Sequence, residues 1–414
     1  MSNWIHSTLE QICVPDKGAI ISGPFGSNIS SKFFVSQGVP VIRGNNLTLG
    51  KEKFIDNGFA YITPEKAEEL NCYALKNDLV FTAAGTLGQV GVLTGDLRYE
   101  KYVISNKQLR ARIDSSKVDL LYAYYWYSSP WMQQYFITNN KGSTVPLVTL
   151  SELKSAPITY PESIEEQRKI ASIFDDITTK IDLNTRLCSE LEAMAKTLYD
   201  YWFVQFDFPD ENGKPYRTSG GAMERCQELG REVPKGWKVR RLPEVSSVQY
   251  GFPLSTEKFS STGNRVVRIR DIIDNSYSAL TNEAVGNEYF TQEDDLLVGM
   301  DGNFQMNYWT RNGDIVNQRI TRIRKTVIPI MLIKMQIQPY ITAKIDTVAR
   351  STVGHLGDAD FSERYILVPE GLDIDIFDAY LSKIVSLRKE IQELSDLRDW
   401  LLPMLMNGQA QVEK

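Results

Sequence analysis

The sequence predicts an α+β protein built as a tandem duplication: two similar globular heads and two long helices, packed antiparallel as a coiled coil about a pseudo-two-fold axis. Three observations predict it. Short anchors recur in the same order along the chain, each half ends in a heptad-patterned stretch, and a polar, glycine-rich segment separates the halves.

The anchors are collinear. Trp4 and Leu9 return as Trp237 and Leu242 at an offset of 233, and Val41-Ile42-Arg43 as Arg268-Ile269-Arg270 at 227. Asn77-Asp78-Leu79-Val80 answers Asp294-Asp295-Leu296-Leu297 at 217, and Ser143-Thr144-Val145 answers Ser351-Thr352-Val353 at 208. Lys180-Ile181 and Glu190-Leu191 match Lys383-Ile384 and Glu393-Leu394 at 203. Chance matches would scatter, whereas a steadily falling offset marks an old duplication with small deletions in the second copy.

The first head takes residues 1–160. Short β-rich runs, Val39–Ile42, Leu79–Phe81, Val90–Leu93 and Gln108–Ile113, are separated by Gly, Asn and Asp turns. The aromatic segment from Leu120 to Trp126 suits a helix whose role is core packing. Residues 161–206 form the first long helix. Pro161-Glu162-Ser163 opens it, Glu165 and Glu166 suit the positive end of its dipole, and no Pro or Gly interrupts residues 162–208. Ile170, Phe174, Ile177, Ile181, Asn184, Cys188, Leu191, Ala195, Leu198 and Trp202 recur on one stripe.

Residues 207–236 are polar and glycine-rich and read as a linker. The second head covers 237–370 and the second helix 371–410, starting near Leu372, with Phe377, Tyr380, Ile384, Leu387, Ile391, Leu394, Arg398, Leu401 and Leu405 on its stripe. Pro403 kinks or ends it. Each seam needs a cover, and the tethered partner helix is the nearest one. Asn184 and Arg398 interrupt the stripes; two readings stand, a register-fixing polar pair or edge positions facing water. Antiparallel helices of ~33–40 residues, ~50–60 Å long, would set the heads at opposite ends of a rod longer than one turn of duplex DNA.

Composition narrows the class. A net charge of −6 gives no overall pull towards nucleic acid or membrane, so local patches must supply one. Cysteines at 13, 72, 188 and 226 fit no zinc spacing. The opening MSNWIHSTLE lacks a basic-then-apolar leader, and the apolar run from Val327 to Ile333 is far short of the ~18 residues a span needs. A cytoplasmic protein with no membrane partner is expected.

Several motifs then resemble a known family. Ile158-Thr159-Tyr160-Pro161, Glu165-Glu166-Gln167-Arg168-Lys169-Ile170 and Phe174-Asp175-Asp176-Ile177 resemble the conserved region of type I restriction–modification specificity subunits. Gly213-Lys214-Pro215-Tyr216, Ser219-Gly220-Gly221, Glu228-Leu229-Gly230 and Val233-Pro234-Lys235-Gly236-Trp237 are similar to the family's approach to its second recognition domain. Ala84-Gly85-Thr86-Leu87-Gly88, Val90-Gly91 and Ile104-Ser105-Asn106-Lys107-Gln108-Leu109 resemble the glycine-rich loop and following strand of its first. The second head departs, with Met300-Asp301-Gly302-Asn303-Phe304 at the loop and no Glu-Gln-Arg-Lys-Ile run opening its helix.

The resemblance implies a non-catalytic subunit with two target-recognition domains. Each would read one arm of a bipartite, asymmetric sequence in double-stranded DNA. The helices would set the spacer and dock two methylation subunits, with restriction subunits completing the endonuclease. No cofactor is expected in this chain; S-adenosylmethionine and ATP/Mg belong to the partner subunits.

Residues 98–117 carry a net +4 and residues 311–350 a net +6, at matching places in the two copies. Such charges neutralise phosphates, although an ordinary solvated strand face has the same look. Base reading needs bidentate groups. The candidates are Arg43, Asn45, Asn46, Asn106, Lys107, Gln108 and Arg110 in the first head, and Arg268, Arg270, Asn317, Gln318 and Arg319 in the second. Gly85-Thr86 and Gly302-Asn303 would let backbone approach phosphate. Ser143 and Thr144 beside Lys141, and Ser351 and Thr352 beside Arg350, could hold phosphate oxygens or form plain turns.

Catalytic patterns are missing. Gly44 to Lys51 has five residues between its glycines and Glu52 where a P-loop needs Ser or Thr. His6 and His355 lie 349 residues apart, and no metal site or triad can be drawn. The rival reading is a coiled-coil scaffold that holds proteins without DNA.

Overall fold

In the computed structural model, residues 3–50, 52–139, 146–348, 354–410 and 412 are described. They fall into two compact units, one of Met1–Asp182 with Glu393–Lys414 and one of Leu183–Gln392. Each unit therefore takes one half of each long helix with its head, a division that sequence boundaries placed at helix ends do not draw.

The first unit begins with β1 (Trp4–Thr8), α1 (Leu9–Ile12), β2 (Ile20–Ser22), β3 (Val39–Ile42), β4 (Ala60–Ile62), α2 (Pro64–Leu70) and β5 (Tyr73–Leu75). β6 (Asp78–Thr82), β7 (Val90–Val92), β8 (Lys101–Ile104) and β9 (Gln108–Arg112) follow. Then come α3 (Leu120–Tyr127), α4 (Pro130–Thr138), α5 (Leu150–Lys154), β10 (Pro157–Pro161) and α6 (Ile164–Tyr199). Two four-stranded sheets form, ordered β2-β9-β6-β7 and β4-β3-β8-β5, and β1 pairs with β10. All pairings are antiparallel except β3 with β8.

Local chemistry explains the elements. Thr63 caps α2 by accepting from Lys66 N, Pro64 starts it, and Asn71 ends it in the left-handed region at φ 46°. Asp119 caps α3 by accepting from Leu121 N and Tyr122 N, and Tyr122, Tyr124, Tyr125, Trp126 and Tyr127 are all buried. A helix apolar on every side must be enclosed, and α3 packs in the main core with Phe81, Phe136 and Phe174.

The second unit contains β11 (Met223–Cys226), β12 (Arg231–Pro234), β13 (Lys238–Arg241), α7 (Leu242–Val245), β14 (Ser246–Tyr250), β15 (Asn264–Val267) and β16 (Ala279–Thr281). β17 (Leu296–Gly299), β18 (Met306–Tyr308), β19 (Ile315–Val316) and β20 (Ile320–Lys325) continue it. α8 (Ile330–Val348), α9 (Ala359–Ser362), β21 (Tyr365–Val368) and α10 (Asp375–Met406) complete the chain. The sheets are β14-β20-β17-β18 and β16-β15-β19, with β13 on β21. β15 and β19 are the parallel pair.

Among the described residues the main sheets repeat the topology of the first unit without counterparts of α2 and β5, while α8 stands where the first unit has α3 and α4, and the β11–β12 hairpin is additional. Leu9 and Leu242 both start the helix after the first strand, and Asn77 and Asp294 both take positive φ, 72° and 68°, one residue before a buried Asp. One anchor shifts. Arg43 and Arg268 each precede a 3-10 turn closed by the residue three further on, Asn46 and Asp271, so the offset there is 225 and Arg43 answers Arg268.

The linker expectation needs correction. Residues 223–234 form the β11–β12 hairpin, and Phe208 stacks on Tyr216 at 4.6 Å and on Trp237 at 4.9 Å. Scattered aromatics bind this polar segment to the second unit's core.

α6 and α10 pair within each unit. In the second, Asn184 donates to Glu390 Oε2 at 2.8 Å, Cys188 meets the Ile384 carbonyl at 3.8 Å, and Arg388 pairs with Glu192 at 2.6 Å, so the helices run antiparallel. In the first, Leu402, Leu405 and Met406 share a core with Ile170, Ala171 and Phe174. Asn184 is buried, which removes its water-facing reading, whereas Arg398 is half-buried and reaches the Gly50 carbonyl at 3.3 Å. Pro403 lies inside the last turns and α10 continues to Met406.

Candidate nucleic-acid interface

The second head gathers three turns at strand ends. β15 runs into the 3-10 turn Ile269–Asp271, where Asp271 Oδ2 accepts from Arg268 N at 2.9 Å and from Ser278 Oγ at 2.7 Å. Burial pushes the Asp271 carboxyl up, and the Ser278 hydroxyl opposes that shift. Because β19 runs parallel to β15, the following turn lies alongside, with Asn317 N donating to Val267 O at 3.1 Å. The loop after β17 joins it through Met300 N donating to Arg319 O at 2.9 Å.

These turns line an open depression of about 530 Å³ that brings together Arg268, Arg270, Gly302, Asn303, Asn317 and Arg319. Gly302 has φ 73° with open space where a Cβ would sit. Arg268 donates through Nε to Ser278 Oγ at 2.7 Å and through Nη2 to Ser278 O at 3.0 Å, while Arg270 and Arg319 are exposed. The arrangement presents guanidinium and amide donors on a concave rim. It suits an anionic, hydrogen-bonding ligand such as a duplex edge.

Known proteins match this chain along its length. The model of the family described as "Type I restriction modification DNA specificity domain" matches residues 1–193. The chain is 24% identical over 422 residues to the Type I restriction enzyme MjaIX specificity subunit of Methanocaldococcus jannaschii, covering 97% of this chain and 93% of that one. It is 22% identical to the HindI specificity subunit of Haemophilus influenzae over 94% and 98% of the two chains. The type I restriction–modification specificity family is thus matched over residues 1–193, and the chain resembles specificity subunits along nearly its whole length. Its fold is similar to the crystal structure of a type I restriction–modification S subunit from M. genitalium, with a TM-score of 0.54 at 15% identity over 98% and 96% of the chains.

These likenesses support a DNA sequence-specificity role for the chain rather than the scaffold alternative. Its first head builds the same three turns. Ser105 N donates to Ile42 O at 3.0 Å, and Ala83 N donates to Lys107 O at 2.7 Å. Asn45, Gly85, Thr86, Asn106 and Lys107 are exposed there, and Gly85 takes φ 108° with nothing near its absent Cβ. Arg43 is half-buried and, with Asn45, reaches the Gly58 carbonyl at 3.5 and 3.2 Å. Gln318, the counterpart of Asn106, is exposed.

Other sequence candidates turn out to be interior groups. Asn46 is fully buried, accepts from Arg43 N at 3.0 Å and donates to the Ile55 and Asn57 carbonyls at 3.0 and 2.8 Å. Gln108 is buried against the Ser105 hydroxyl. Arg110 is buried, donating to the Gly18, Ala19 and Tyr73 carbonyls at 2.8, 3.1 and 3.2 Å. These side chains close turns and strand edges, so the protein interior uses the donors that a ligand would need. Asn317 does both, donating to the Leu254 carbonyl at 3.3 Å while lining the depression.

Much of the positive charge counted along the sequence is likewise committed inside. Arg110 and Arg112 flank buried Asp78, and Arg322 and Arg324 flank buried Asp295. Burial pushes the Arg110 and Arg322 guanidiniums down from their ordinary range, and the carboxylates oppose that. Lys141, Ser143, Thr144, Arg350, Ser351 and Thr352 lie outside the described residues.

Sequence reasoning missed Asp301 and Gln305 on the depression. Gln305 Oε1 is buried without a hydrogen-bond partner among the described residues. The one available signal was position, since both lie within three residues of Gly302. Among the described residues no helix is long and apolar enough to cross a membrane.

Proposed function

We propose that each head reads one half of a bipartite, asymmetric duplex sequence, and that α6 and α10 act as the spacer and as the docking surface for two methylation subunits. The observation that carries this is the repeated set of three strand-end turns, which in the second head concentrates Arg268, Arg270 and Arg319 with Asn303 and Asn317 around one depression. Arginine bonds guanine O6 and N7 bidentately, and asparagine does the same to adenine N6 and N7. Exposed Lys107, Thr86 and the backbone at Gly85 and Gly302 suit phosphate contacts that hold register. The docking role rests on a second apolar row: Leu183, Leu187, Met194 and Tyr201 are exposed at four- and seven-residue spacings, away from the seam that contains Asn184 and Cys188.

On this reading restriction subunits join the same complex in the cytoplasm, and S-adenosylmethionine and ATP/Mg are held by the partners. The test is selection of random duplexes by the chain in complex with its methylation subunits. A two-part motif with an unspecified centre is expected, and exchanging residues 1–160 for those of another specificity subunit should change one arm only. Absence of enrichment, or a change in both arms, would overturn the reading.

A further inference from the structure

The two heads share a backbone lattice that carries different side chains. In the second head Met300 N donates to Arg319 O at 2.9 Å, Leu356 N donates to Met300 O at 2.8 Å, and Asp301 forms an antiparallel bridge with His355. In the first head Ala83 N donates to Lys107 O at 2.7 Å, Val148 N donates to Ala83 O at 2.8 Å, and Ala84 bridges Leu147. Asp301, Arg319 and His355 therefore occupy the places of Ala84, Lys107 and Leu147.

That exchange builds a hydrogen-bonded triad in the second head. Asp301 Oδ2 accepts from Arg319 Nη1 at 2.7 Å, and Asp301 Oδ1 lies 2.7 Å from His355 Nδ1. The carboxylate is held from both sides on the rim of the depression, and the guanidinium is 58% exposed, so its remaining N–H donors face outward. An isolated surface pair of this kind adds little stability. Its effect is geometric, because the bond through Nη1 restricts the swing of the guanidinium and leaves its Nε/Nη2 edge for a planar acceptor pair.

We infer that Asp301 is a positioning residue, backed by His355, that presents Arg319 to one guanine of the second half-site, and that the first head lacks this element. The inference rests on the DNA-reading function proposed above. Lys107 offers a compact ammonium with no fork, and Ala84 stands where Asp301 backs Arg319, so the matching position of the first half-site carries no arginine-type guanine preference.

The experiment uses the full chain with its methylation subunits and reads base preference at every position of the selected motif. Arg319→Lys and Asp301→Ala should each reduce guanine preference at the same single position of the second arm by about tenfold or more. The first arm should be unchanged, and retention of non-cognate DNA should be unchanged or higher for Asp301→Ala, which removes a negative charge. Asp301→Asn keeps the shape and should show a smaller loss at that same position. A merely structural role would spread the loss over the whole arm and lower the melting temperature with it. In the first head, Ala84→Asp with Lys107→Arg and Leu147→His should create guanine preference at one position of the other arm. A two-part motif whose second arm is unmoved by Arg319→Lys and Asp301→Ala overturns this inference alone. A wild-type complex that enriches no motif overturns the function beneath it.

Discussion

Arg324 holds the buried carboxylate of Asp295 through Nε and Nη2, both at 2.7 Å. Arg112 holds Asp78 in the same way at 2.8 and 2.9 Å, in the matching strand pair of the other head. The same carboxylates close the preceding turn, accepting from Gln292 N at 2.7 Å and Leu75 N at 2.9 Å. Each Asp thus joins a turn to two neighbouring strands. Asp295→Ala leaves Arg322 and Arg324 without their buried counter-charge and should cost about 3–5 kcal/mol. Urea unfolding followed by tryptophan fluorescence should show an earlier transition, and an unchanged midpoint would count against this role.

Asn184 is a polar residue enclosed in the helix pair, bonded to Glu390 at 2.8 Å. Asn184→Ala removes that bond and leaves space in the seam, so the chain should lose about 1–2 kcal/mol. Chemical denaturation of the variant beside wild type measures it.

The exposed row on α6 gives a prediction about assembly. Leu187→Glu with Met194→Glu places charge on both central positions without touching the α10 seam. Association with the methylation subunits should weaken about tenfold or more. Circular dichroism of the isolated variant should match wild type. Sedimentation showing an undiminished complex would place the docking surface elsewhere.

Lys334 sits in a cavity of about 640 Å³ in the second unit, its ammonium 4.3 Å from the Tyr308 ring centre. Burial pushes its pKa down from 10.5 to about 8, and Glu192 opposes that shift. Between these values the unfolded chain binds the proton more tightly than the folded one, so this group makes stability rise as pH increases from about 8 towards 10.5. Below pH 8 the full cost of burying the charge is present. Lys334→Met should therefore raise stability at pH 7 by about 1–2 kcal/mol and flatten the slope above pH 8. Thermal melts across that pH range test both.

Local pattern made much of the fold legible. Val39–Ile42 is a strand over the bounds its β-branched run suggests, and the aromatic segment from Leu120 becomes a buried helix. The heptad residues Ile170, Phe174, Asn184, Cys188 and Ala195 are all buried. The hairpin at residues 223–234 was not legible, because its holding contacts join aromatics spread between Phe206 and Trp237 through polar sequence. The Arg43 anchor was misaligned by two residues, since tripeptide similarity outweighed the turn that places Arg268 opposite it in the duplication.

From its own letters the chain determined a duplicated head, two amphipathic helices and the strand-end turns, because periodicity and turn chemistry act over a few residues. Tertiary structure alone decided which polar groups face outward. Arg110 and Arg319 look alike in sequence, yet β9 folds against β6 and turns the first towards Asp78, while a strand-end turn leaves the second in the open beside Asp301. Burial is set by pairings between residues far apart in the chain, and no local window contains them.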